Sequence, residues 1–202
     1  MGSCPSGATA GVSGDGRYCY PLTVTDGFSR LLLGCQALGS TTVADAQPTF
    51  TRLFQEYGLP TRIRTDNGVP FATTTLGRLS TLSAWWVRLG ILPEFIEPGR
   101  PAQNGRHERM HKTLKAETTR PAAGSLAAQQ RRFNRFREEF NHERPHEALD
   151  QQIPAACYVR SPPQRATHAH RGRVRETLSP PRVTHVPRLF CYLSPRPFTV
   201  DS

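Results

Sequence analysis

The chain has 202 residues, 37% of them hydrophobic, and a net charge of +10, which suits one modest domain with a tail better than two domains. No apolar run reaches the roughly eighteen residues that span a bilayer, and Met1–Gly14 lacks the basic start and apolar stretch of a secretory signal. Five scattered cysteines without a CxxC pair exclude a zinc ribbon and a disulfide framework, and suit a reducing compartment.

The basic excess points to a polyanion, nucleic acid first, but it is uneven. Arg160–Ser202 carries eight arginines against two acids, a net of +6, and leaves +4 for everything before it. Taken in chain order, residues 18–26 (YCYPLTVTD) read as a strand, and Leu31–Leu38 as a second strand, with GFSR as the tight turn of an antiparallel hairpin. Val43, Ala46, Phe50, Leu53, Phe54 and Tyr57 recur at helical spacing and Gly58 stops them. Pro48 suggests that this helix begins late.

Thr61–Thr65 alternates around Ile63 as a third strand and delivers Asp66 at its carboxyl end. Leu76, Leu79, Leu82, Trp86 and Leu89 mark the next helix, closed by Gly90, and Trp86 has the spacing of a core residue rather than a base-stacking one. Leu92–Glu97 reads as a short strand, PGRPAQNG as a loop, Gln103–Glu117 as a helix, and Ser125 as the cap of a helix whose apolar face is Leu126, Phe133, Phe136 and Phe140. The order is that of an α/β fold. From Arg160 on, periodicity gives way to seven prolines and eight arginines, so residues 161–202 are expected to form a disordered basic tail behind a domain spanning 15–160, with 1–14 irregular.

Two spots carry chemistry. Asp66 sits at a strand end before the turn Asn67-Gly68, where α/β sheets build active sites, although Asp-Asn-Gly is also an ordinary turn. Glu108 lies early on a helix with Met110 and Leu114 on its buried face, while Glu108, His111, Lys112 and Lys115 fall largely on the other side. A carboxylate there can hold a hard cation and the lysines can hold phosphates, although an exposed helix with Glu–Lys pairing would look the same.

Taken together, RTDNGVPF, the helix containing Trp85-Trp86, PGRPAQNGRHERMHKTLK and FNHERPHEAL resemble, in that order, the integrase core of retroviral integrases and bacterial insertion-sequence transposases, from about Gly14 to Arg160. The resemblance implies a ribonuclease-H-like fold, a mixed sheet flanked by helices. It also implies an Asp-Asp-Glu set holding two Mg2+ (or Mn2+) ions, with Asp66 as the second acid and Glu108 as the third. Two ions about 4 Å apart would stabilise the attacking and leaving oxygens of a DNA phosphodiester. DNA is the implied partner, with Arg106, Lys112 and Lys115 on phosphates. A homo-oligomer, cytoplasmic nucleoid-associated placement, and no membrane partner or small-molecule cofactor are expected with it.

The same resemblance places a first Asp on a first strand about ten residues before Tyr18, where this chain reads SCPSGATAGVSG. Asp15 lies in a Gly-Asp-Gly turn and Asp26 ends a strand, so neither is a natural substitute. The expectation is a truncated core that has lost its first strand, with an exposed sheet edge and impaired catalysis. It would act either as a strand-transfer enzyme or as a degenerate fragment that binds only DNA or an intact transposase. One rival motif remains. His107-Glu108-Arg109-Met110-His111 matches the zinc-protease pattern H-E-x-x-H. Its cationic surroundings, Arg106, Arg109 and Lys112, disfavour the buried apolar cleft that such a metal needs.

Overall fold

The structure is a computed structural model that describes residues 17–73, 79–97, 105–159, 188–194 and 196–200, with Arg17 and Arg106 described by backbone alone. β1 (Arg17–Asp26) and β2 (Leu32–Leu38) form the expected antiparallel hairpin, Tyr20 facing Leu38 and Thr23 facing Cys35. α1 (Val43–Tyr57) follows. It does not begin late: Thr42 accepts from the Asp45 N–H and starts the helix ahead of Pro48, which lies inside it. The Thr42 cap fixes the first turn, so Pro48 deletes a single ladder bond without ending the helix. Gly58, at φ 88°, ends α1 by donating to the Phe54 carbonyl.

β3 (Arg62–Thr65) delivers Asp66, and α2 (Thr81–Arg88) starts later than the apolar spacing implies. Ser80 and Ser83 cap each other there, and Leu79 bridges to Ala72 instead of joining the helix, while Leu76 lies outside the described residues. β4 (Leu92–Phe95), α3 (Gly105–Thr118) and α4 (Leu126–His142) complete the expected series, and a short α5 (Pro154–Cys157) follows that the sequence pattern did not announce. The PGRPAQNG loop lies outside the described residues up to Asn104.

The tail departs from expectation. Arg188–Leu193 is a strand, β5, and Phe198–Val200 is another, β6. The sheet order is β2-β1-β5-β3-β4, with β6 on β1 beside β5. β5 runs antiparallel to β1 (Leu22 facing Leu193, Asp26 facing Leu189) and parallel to β3 (Arg62 facing Arg188, Thr65 facing Cys191). The central strand expected to be missing is thus supplied from the C-terminal end, and β1 and β3 are both paired. Residues 161–187 and 1–14 lie outside the described residues.

The reason is alternation that the prolines and arginines around it mask. In RLFCYL, Leu189, Cys191 and Leu193 are buried on one face and Arg188, Phe190 and Tyr192 lie on the other. Gly27 admits the strand: it donates to the Arg188 carbonyl at 2.8 Å, and a Cβ there would meet that oxygen at 2.8 Å and the Phe190 ring at 2.7 Å. Glu94 on β4 takes Arg62 at 2.9 Å, Arg64 at 3.2 Å and Arg188 at 3.1 Å, which ties three adjacent strands. Burial opposes ionisation of Glu94, but Arg62, Arg188 and Arg64 outweigh it and hold the carboxyl below its ordinary value.

One face of the sheet packs on α1 and α2 through Leu22, Val24, Ile63, Leu189, Leu193, Phe50, Leu53, Leu82 and Trp86. Trp86 is fully buried against Phe50, with ring centroids 5.0 Å apart, so its core role is confirmed. The other face packs on α3 and α4 through Cys19, Leu32, Cys35, Met110, Leu114, Phe133 and Phe136, joined by Phe198 and Val200. α4 also finishes the outer edge of β2. Asn141 accepts from the Leu32 N–H at 2.8 Å and donates to the Leu32 carbonyl at 3.1 Å. Gln130 does the same between Ala37 and Cys35. Amide side chains thus satisfy backbone groups that an edge strand would otherwise present to a passing chain. Among the described residues, no helix is long and apolar enough to cross a membrane.

Candidate active site

Asp66 leaves the carboxyl end of β3 and its Oδ1 accepts the Gly68 N–H at 3.1 Å. Asn67 holds the turn by donating to the Ile96 carbonyl at 2.9 Å, beyond β4. The Asp-Asn-Gly stretch is therefore both a local turn and the mount of an acid. Burial pushes the Asp66 carboxyl up to about 6, against the pull of the Gly68 N–H.

Glu108 lies exposed on α3, with Lys112 and Lys115 exposed on the same helix face at i+4 and i+7. Arg106 is placed on this helix by its backbone only. His111 departs from expectation: it turns inward beside Met110 and Leu114, only 8% exposed, with its Nε2 2.7 Å from the Thr23 hydroxyl. His107 is buried too and lies against Phe190 and Tyr192, with ring centroids 5.8 and 6.3 Å away. The H-E-x-x-H spacing does bring the histidines to one face, but that face is packed on the sheet while Glu108 points to solvent. Burial, aided by His107, lowers His111 to about 3, so it stays neutral at ordinary pH.

Beside Asp66 and against α3 stands Tyr192, a residue that sequence reasoning passed over as tail. Its ring meets His111 edge-on at 4.4 Å. Cys191 pairs with Thr65, so Tyr192 is the residue of β5 beside Asp66. Its phenol is raised by burial, then by the charges of Asp66 and Glu108. Tyr192 thus feels the charge of both carboxylates, and Asp66 is its neighbour across the β3–β5 register. The signal that would have found Tyr192 was the alternation of RLFCYL.

Asp26 does not serve as another member of this set. It is 2% exposed and its Oδ2 accepts from the Phe28 and Ser29 N–H groups and the Ser29 hydroxyl, closing the hairpin turn. Asp15 lies outside the described residues. Arg144, from the FNHERPHEAL segment, pairs with Glu117 at 2.9 Å and braces α3 against α4, so Asn141 and Arg144 both hold the fold.

Asp66 and Glu108 offer hard oxygens, but the third side chain, Tyr192, is a neutral phenol. Among the described residues no group of three or more His, Cys, Asp or Glu is placed to hold a metal ion. Two Mg2+ ions in near-octahedral surroundings require more anionic oxygen than this. The described residues do not complete a two-ion site.

The fold and site define a class. Two family models, each described as "Integrase core domain", match residues 8–101 and 89–154. The chain belongs to the integrase-core family. Among solved structures it is similar to the HTLV-2 integrase catalytic core domain in complex with magnesium (trimeric form), at 17% identity and TM-score 0.52 over 72% of this chain and 93% of that one. It is also similar to a chain of the simian T-cell lymphotropic virus intasome in complex with PP2A regulatory subunit B56 gamma, at 20% identity and TM-score 0.54 over 79% of this chain. The match spans 59% of that second chain. At these identities the likeness speaks to the fold, a ribonuclease-H-like mixed sheet flanked by helices.

Proposed function

We propose that this chain works in DNA transposition as an integrase-core DNA-binding protein, with DNA running along α3 past Asp66 and Glu108. The observation that carries this reading is Tyr192, the register neighbour of Asp66, packed on α3, the helix that bears Glu108, Lys112 and Lys115. Lys112 and Lys115 meet phosphates from its exposed face, with Arg106 on the same helix. The magnesium in the HTLV-2 core and the intasome assembly of the simian relative make divalent cations and self-association natural companions of such a site. A bound cation would polarise the phosphodiester and neutralise charge on its oxygens. With two carboxylates among the described residues of the site, the chain binds DNA far better than it joins it. That favours the binding reading over strand transfer.

Binding is expected to weaken with salt, and Lys112→Ala with Lys115→Ala to flatten the log–log slope by about 2. An unchanged slope would remove α3 from the interface. In a Mg2+ or Mn2+ joining assay, wild type should stay near background. Robust joining that Asp66→Asn abolishes would restore the strand-transfer reading.

A further inference from the structure

We propose that Tyr192 occupies the ligand position of the Asp66–Glu108 cleft, so that an acidic side chain at 192 would complete a divalent-cation site that is incomplete among the described residues. The inference rests on the reading above that Asp66 and Glu108 face a common cleft. It deepens that reading by naming the residue that leaves the cleft incomplete.

Three observations carry it. The register places Cys191 opposite Thr65, so residue 192 is the β5 neighbour of Asp66. Alternation along β5 sends Leu189, Cys191 and Leu193 into the α1–α2 core, which leaves Phe190 and Tyr192 facing α3. Tyr192 meets His111 at 4.4 Å and His107 at 6.3 Å, on the helix that bears Glu108. A carboxylate on Cys191 would be thrust into hydrocarbon, and one at 190 would meet Arg64, which lies 5.3 Å from the Phe190 ring. Position 192 alone on β5 neighbours Asp66 in register and packs on α3 without entering the core. Being partly exposed, it can exchange its ring for a carboxylate without opening a core cavity.

Ligand charge count moves the affinity of carboxylate sites by decades, so the test is Mn2+ affinity by calorimetry and by loss of the free-ion electron-spin signal. Wild type, Tyr192→Asp, Tyr192→Glu and Tyr192→Phe are compared, each with its thermal melt. Tyr192→Asp or Tyr192→Glu should bind at least about tenfold tighter than wild type. Tyr192→Phe should match wild type. Adding Asp66→Asn to the tight variant should return it to the wild-type level.

Equal Mn2+ affinity in wild type and folded acidic variants overturns the proposal. So does tight binding that survives Asp66→Asn, which would put the ion elsewhere, and so does failure of both acidic variants to fold, which would make 192 a core position. The underlying reading fails separately, through the DNA slope, which Tyr192 does not enter.

Discussion

His111 lies one turn from Glu108 on α3 but is buried, and its environment makes it a pH-dependent weak point. The folded state resists protonating it until about 3, whereas the unfolded chain takes the proton near 6.5. Between those values the unfolded state binds more protons, so His111 costs stability as pH falls through that window, by about a few kcal/mol at most. Asp66 works in the opposite sense. Its folded value of about 6 lies above the unfolded value of 3.8, so its contribution is full below 3.8 and is lost as pH rises through 6. Urea midpoints at several pH values should show the two offsetting each other between about 4 and 6. Asp66→Asn should gain about 1–3 kcal/mol at pH 7 and lose stability more steeply on acidification. His111→Gln, able to keep the Thr23 contact, should flatten the acid limb. An Asp66→Asn variant less stable at pH 7 would mean that the carboxylate is better solvated or paired than its burial implies.

α4 is more than a hydrophobic cover. Its apolar stripe, Phe133 and Phe136, was legible from spacing, and both rings are buried. Its polar contribution was not legible, because no periodic pattern tells an exposed amide from one that closes a sheet edge 109 residues away. Asn141→Ala leaves a buried N–H and carbonyl of Leu32 without that partner and should cost about 1–3 kcal/mol. Gln130→Ala, at a less buried part of the edge, should cost less. Chemical denaturation with unchanged m-values checks the pair. Equal, negligible losses would show that water replaces both amides freely.

At the scale of the whole molecule, most of the fold was legible and the two C-terminal strands, β5 and β6, were not. Hairpin, helices and the strand bearing Asp66 all announced themselves through local periodicity. β5 did not, because its six residues lie among prolines and arginines, and its partners, β1 and β3, lie far away in sequence. Local pattern carries no information on such pairing. The same blind spot hid Tyr192, so the acids Asp66 and Glu108 could be named but not the tyrosine beside Asp66. Burial of Leu189, Cys191, Leu193, Phe198 and Val200, at about 1.5–3 kcal/mol for each large apolar side chain, is comparable with the whole stability of a domain, about 5–15 kcal/mol. The C-terminal segment is therefore integral to the sheet, and the cleft's chemistry depends on it.

The most direct measurement is nuclear Overhauser contact in protein labelled at tyrosine and histidine. Tyr192 ring protons should show cross-peaks to the His111 ring, 4.4 Å away between centroids, and the β5 amides should show cross-strand contacts to both Thr23 and Arg64. A Tyr192 ring with random-coil shifts and no contact to His111 would contradict the account, since β5 would then not fill the sheet between β1 and β3.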